Sequence, residues 1–262
     1  MTDTPADVSR SAKDAGGFSL RAAAARLLGP DGINSAFVWL VLVGVLVIIR
    51  LLIDAFYPSA FNDPEQASFF AWPALGVLSV LGLVGVYFAH LTGFPAALSM
   101  QEPVRRWLAP IAIGLAFGAV YFGLDLWTKF TALTNAHHGV ATTQFVGVAP
   151  SILIFTGGAI ISEVVFRLFP IPILLWLISR VALRKRGAEP TFWALAILTS
   201  LLEPVSQYSF LLGSAAAVGV AVIAAGFTLN MVQASFFRRY GFLSAIAVRV
   251  AFYMIWHVAY VH

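Results

Sequence analysis

Apolar and polar residues along this chain fall into long blocks instead of a short alternation. Seven stretches, 37–56, 69–91, 107–127, 146–183, 192–207, 210–237 and 242–261, are dominated by Leu, Val, Ile, Ala and Phe. A helix rising 1.5 Å per residue needs about 20 apolar residues to cross about 30 Å of hydrocarbon. Backbone N–H and C=O groups surrounded by lipid find partners only in helices or closed barrels. The pattern therefore predicts an all-α polytopic membrane helix bundle with about seven transmembrane helices.

One block needs more than length. The stretch 146–183 is too long for one straight crossing and short for two. Pro170 and Pro172 lack backbone donors and should kink the helix just after Arg167. Basic residues decide how often the block crosses. With a single crossing, the N-terminal tail (Arg10, Lys13, Arg21, Arg26), Arg105-Arg106, Arg184 to Arg186 and Arg238-Arg239 share one side, and the other side keeps only Lys129 among its loops. That is a positive-inside pattern with the N-terminus cytoplasmic. One long kinked helix is expected, hence seven crossings. Residues 1–33 read as a cytoplasmic tail and 34–262 as the transmembrane domain. No apolar run follows the first charges closely, so the tail is not expected to be a cleaved signal peptide. Within it, 19–28 reads either as an amphipathic surface helix with Arg21 and Arg26 outward or as a disordered tail. No internal repeat is visible.

Composition narrows the class. The chain is 60% hydrophobic and 11% charged, against ~45–50% and ~25% in soluble domains. It has no cysteine, which excludes disulfides and thiolate metal sites. No phosphate-binding loop, rhomboid-type serine motif or zinc H-E-x-x-H is present. No nucleic-acid partner is expected; membrane lipid is. Asn62-Asp63-Pro64 signals a turn. Arg50 and Asp54 read as a structural or interfacial ion pair, and Asp125 as interfacial. Residues 129–145 read as a surface loop whose adjacent His137 and His138 make a poor chelate.

Glu163 and Arg167 are different, because they lie deep in an apolar run. Spaced i and i+4, they share a helix face. A lone charge in hydrocarbon costs roughly 2.5–3.5 kcal/mol on insertion scales, so such groups face a bundle interior or a wet cavity. The pair either marks a site or only fixes helix packing.

The run Ser162-Glu163-Val164-Val165-Phe166-Arg167-Leu168-Phe169-Pro170 resembles the first motif of the CPBP family. That family comprises CAAX prenyl proteases and bacteriocin-processing proteins, also called abortive-infection proteins. Its motif reads E-E-x-x-x-R before an apolar, Pro-containing run; Ser162 stands at the first Glu and Glu163 at the second. In the second motif, F-x-x-x-H, Glu203 takes the Phe place and Gln207 the His place. The third, roughly G-L-x-x-A-x-x-x-H-x-x-x-D/N, is framed by 241–253. Arg249 stands for His, Tyr253 for Asp/Asn, and His257 follows one turn later. The resemblance spans about 148–262.

It implies an intramembrane endopeptidase that holds a water, or a divalent metal such as zinc with its water. Yet Gln207 cannot act as a base, and Arg249 is a permanent cation without a lone pair. No cofactor is expected, since the ligand positions are lost. Instead Glu163 and Glu203 should face Arg167 and Arg249 in a neutral, hydrogen-bonded cluster, with Gln207 and Tyr253 lining the site and His257 at the interface. The expectation is a divergent family member of the bacterial inner membrane. Its proteolysis would be impaired or lost, and it would act as a scaffold or binding pseudoenzyme for an unknown membrane-protein or peptide partner. Two alternatives stand beside it: an active endopeptidase with Glu163 or Glu203 as base and His257 assisting, and a small transporter whose ion pairs line a pathway.

Overall fold

A computed structural model describes residues 20–61, 64–99, 103–139, 147–184 and 186–259, and these contain helices and no strand. Seven long helices follow in order: α1 (Gly29–Phe56), α2 (Trp72–Leu91), α3 (Val104–Thr128), α4 (Val148–Ala182), α5 (Ala188–Tyr208), α6 (Ala216–Tyr240) and α7 (Phe242–Ala259). Helical backbone also runs from Leu20 to a break at Gly29, whose φ of 59° suits glycine ahead of Pro30. The expected outward placing of Arg21 and Arg26, residues 1–19 of the tail and part of the 62–64 turn lie outside the described residues.

Six of the seven are long and apolar enough to cross a membrane; α5 is not among them. Its 21 residues span about 31 Å at 1.5 Å per residue, but Glu189, Thr199, Ser200, Glu203 and Gln207 lower its apolarity. Side-chain contacts nonetheless place its ends at opposite ends of the bundle. At one end Phe94 stacks on Phe237 with centroids 4.5 Å apart. Arg238 lies over Phe94 and Phe192 at 5.2 and 5.4 Å and pairs with Glu189 at 2.8 Å. Arg180 donates to the Leu91 carbonyl at 2.9 Å. At the other end Phe130 meets Tyr208 at 5.9 Å and Trp256 at 5.2 Å. The basic segments near 180 and 238 therefore gather at one end.

Large apolar side chains cover the outside: Trp127 is 83% exposed, Phe37 63% and Leu198 60%. A surface of that kind suits lipid and not water. Inside, Trp39, Leu46, Phe70, Leu168, Phe192 and Phe237 fill one apolar core, and Tyr121, Phe130, Leu211, Val222, Phe252 and Trp256 a second. Small residues let backbones approach where lipid supplies no hydrophobic drive. A Cβ on Gly114 would come within 2.7 Å of the Ala251 Cβ, and one on Gly118 within 2.5 Å of the Ile255 Cβ, so α3 and α7 nearly touch.

Several expectations are corrected. Residues 130–138, read as loop, form the helix Phe130–His138; 140–146 lie outside the described residues. It starts at Lys129 in a left-handed conformation, and the Asp125 carboxylate accepts from the Thr131 N–H at 2.7 Å. Asp125, near the end of α3, is thereby buried. Arg105 and Arg106 belong to α3 instead of a loop. Arg106 is buried because its guanidinium donates to the Ala96 carbonyl and, at 2.9 Å, to that of Ala97. The stretch 210–237 is split at Ala215 into a short helix, Phe210–Ser214, and α6. Arg50 and Asp54 do pair, at 2.8 Å.

Candidate functional site

The opening motif sits where α4 changes pitch. Pro170 and Pro172 offer no N–H, and just before them the Phe169 N–H donates to Val164, five residues back, at 3.1 Å. The widened turn Val164–Leu168 absorbs the kink, as π-type turns do at many functional sites. It leaves Glu163 and Arg167 on the bundle side, and the Arg167 Nη1 donates to Glu163 Oε2 at 3.1 Å.

Pro204 lies inside α5 without interrupting the helix. The N–H it lacks would have met the Ser200 carbonyl one turn earlier. That carbonyl instead accepts from Asn230 Nδ2 of α6 at 3.1 Å. Asn230 is thereby fixed with its oxygen toward the two arginines.

The charges meet in one network. Arg249 Nη2 donates to Glu203 Oε2 at 2.7 Å, and its Nη1 to Glu203 Oε1. Arg249 also donates to Asn230 Oδ1 at 2.7 Å, Gln233 Oε1 at 2.9 Å and the Tyr253 hydroxyl at 3.2 Å. Arg167 donates to Asn230 Oδ1 at 2.8 Å and to Gln233 Oε1, and lies 3.9 Å from Glu203 Oε2. Two carboxylates thus neutralise two guanidiniums. Glu163 and Arg167 are 1% exposed, Glu203 3% and Arg249 4%, so the network is closed to solvent and lipid. Glu163 Oε1, Gln233 Nε2 and the Nε of both arginines are buried without a protein partner among the described residues.

Of the residues singled out in the sequence, Glu163, Arg167, Glu203, Arg249 and Tyr253 come together. Ser162, Gln207 and His257 stay outside the hydrogen-bonded network. His257, expected at the interface, stacks flat on Phe155 at 4.0 Å and is half-buried, because the last turns of α7 fold against α4. It lines a chamber of about 50 Å3 with Glu203, Gln207, Tyr208 and Tyr253, which has room for roughly three or four waters. Asn230 and Gln233 were missed. Their only sequence signal is two amides three residues apart inside an apolar run, where a polar group also needs a partner.

The cluster's chemistry is that of paired ions. Arg249 presents five donors and no acceptor. Among the described residues no three His, Asp or Glu side chains lie close enough together to hold a metal. Comparison of the chain with family models, curated proteins and solved structures gave no match.

Proposed function

We propose that this chain is a divergent CPBP-like protein of a bacterial inner membrane, N-terminus cytoplasmic, that has lost intramembrane hydrolysis and serves as a binding or scaffold module. One observation carries the reading: Arg249 holds both oxygens of Glu203 while Arg167 holds Glu163. A peptidase of this frame needs a carboxylate or imidazole free to take a proton from water. Here Glu203 gives both oxygens to Arg249 and Glu163 gives one to Arg167. The gathering of basic segments at one end supports the orientation.

The rewired-endopeptidase reading has one observation in its favour, since Glu203 and His257 line the same small chamber. Against it, both Glu203 oxygens already accept from Arg249. The transporter reading needs charges strung along a path, whereas these are gathered in one closed cluster.

The test is peptide cleavage by protein purified in detergent, with Glu163→Ala as control. No cleavage above that control is expected. Turnover that Glu163→Ala abolishes would overturn the proposal.

A further inference from the structure

Beside the network lies a recess of about 470 Å3, within the ~300–1,000 Å3 of small-molecule sites. It is bounded by the first half of α4, the end of α5, Tyr253 of α7 and the short helices Pro64–Phe69 and Phe130–His138. Its lining is chemically divided. Phe69, Phe155, Ile161, Val165 and Phe166 are apolar; Phe69 is 42% and Val165 38% exposed, so this part opens on the lipid-facing surface. Ser162, Gln207, Tyr208 and Tyr253 are polar, as are Gln66, Thr134, Asn135 and Ser206 on the facing helices. Gln207, Tyr208 and Tyr253 also wall the 50 Å3 chamber, so one group of hydrogen-bonding side chains adjoins the network.

No Asp, Glu, Lys, Arg or His lines this recess among the described residues. The four charges of the network beside it already neutralise one another. A charged headgroup would have to shed water there without a counter-ion, which is costly. Hydroxyl groups would find donors and acceptors. An extended peptide would bring polar backbone along its whole length, while the α4 wall of Ile154, Phe155, Ile161, Val165 and Phe166 is apolar.

We infer that the recess binds a single-chain lipid with an uncharged, hydroxyl-bearing head, of monoacylglycerol type. The head meets Ser162, Gln207 and Tyr253, and the tail runs along Phe155 and Phe166. The inference rests on the reading of the chain as a binding module and names what that module takes.

Native mass spectrometry of the full chain decides it, with monopalmitoylglycerol, palmitate at neutral pH and palmitoyl lysophosphatidylglycerol as separate probes. Monopalmitoylglycerol should bind once per chain, about tenfold tighter than either anion, a difference of about 1.4 kcal/mol. Gly158→Phe should abolish that binding without loss of melting temperature, because a Cβ on Gly158 meets nothing within 4 Å and its ring would enter the recess. Gln207→Leu removes hydrogen bonds on an exposed side chain and should cut the preference for the glyceride several-fold. Equal or tighter binding of palmitate or the lysolipid would overturn the inference. So would glyceride binding unchanged in Gly158→Phe, or a hydrophobic peptide that occupies the recess when the glyceride does not. Glu163-dependent cleavage would sink the loss of hydrolysis alone, because the glyceride preference is measured without peptide.

Discussion

Removing the charge of Glu203 strands Arg249. Among the described residues Arg249 has no other carboxylate within ion-pair distance, while Arg167 keeps Glu163 at 3.1 Å. The cluster becomes one anion and two buried cations. Breaking a buried pair in this way costs about 3–5 kcal/mol. The reverse change, Arg249→Gln, is gentler. Glu203 still lies 3.9 Å from Arg167, an attraction of about 4 kcal/mol at an effective dielectric of ~20. Glu203→Gln should therefore be the more damaging single change. The double variant keeps the neutral Glu163–Arg167 pair and places two amides where the second pair stood. Its cost should fall short of the sum by at least about 2 kcal/mol. For a chain of this size 1 kcal/mol moves the melting temperature by roughly 2–4 °C. Glu203→Gln should thus lower it by roughly 6–20 °C in detergent and Arg249→Gln by less, and the double variant should melt above Glu203→Gln. Thermal melts of the four proteins by tryptophan fluorescence give the cycle. Additivity within about 0.5 kcal/mol would mean that the charges do not act as one network.

The other predictions are simpler. A cysteine at Ala188, in a chain that otherwise has none, should resist membrane-impermeant labelling from outside the cell; external labelling would reverse the orientation. Asn230→Leu strands donors on both arginines and the Ser200 carbonyl, so it should cost roughly 1–3 kcal/mol per stranded group, read as a large fall in melting temperature. Gly114→Val should cost about 1–3 kcal/mol by forcing α3 from α7, whereas Gly158→Phe should not; equal melting of the two would show that the close approach carries no stability. Elemental analysis of purified protein should find no stoichiometric zinc, because among the described residues no three His, Asp or Glu side chains lie close enough together to hold it; one zinc per chain, lost in Glu163→Gln, would contradict this.

What could be read from the sequence follows the cost of exposure to lipid. Backbone groups have no other partner there, so long apolar runs announce helices. Charges are expensive there, so Glu163, Arg167, Glu203 and Arg249 stood out. Asn230 and Gln233 did not, because amides carry no charge and their partners appear only once α4, α5, α6 and α7 meet. The helix Phe130–His138 was hidden for a local reason. It begins at a left-handed lysine, a position that glycine usually signals. Arg106 looked like a loop cation because the carbonyls it caps lie in a preceding segment whose path is not visible in one dimension.

The network also explains how such charges persist in a membrane. Helices in lipid associate without a hydrophobic drive between them, through close packing and hydrogen bonds. Glu163 and Arg167 belong to α4, Glu203 to α5, Asn230 and Gln233 to α6, and Arg249 and Tyr253 to α7. Arg167 and Arg249 share the Asn230 and Gln233 oxygens, and Glu203 lies within ion-pair distance of both, so the four helices are tied into one cluster. No single substitution can return the cluster to an apolar core without passing through a stranded charge, which costs several kcal/mol. Only paired changes are cheap. On this argument the charges of the neighbouring helices suffice to hold the Glu163–Arg167 pair in place.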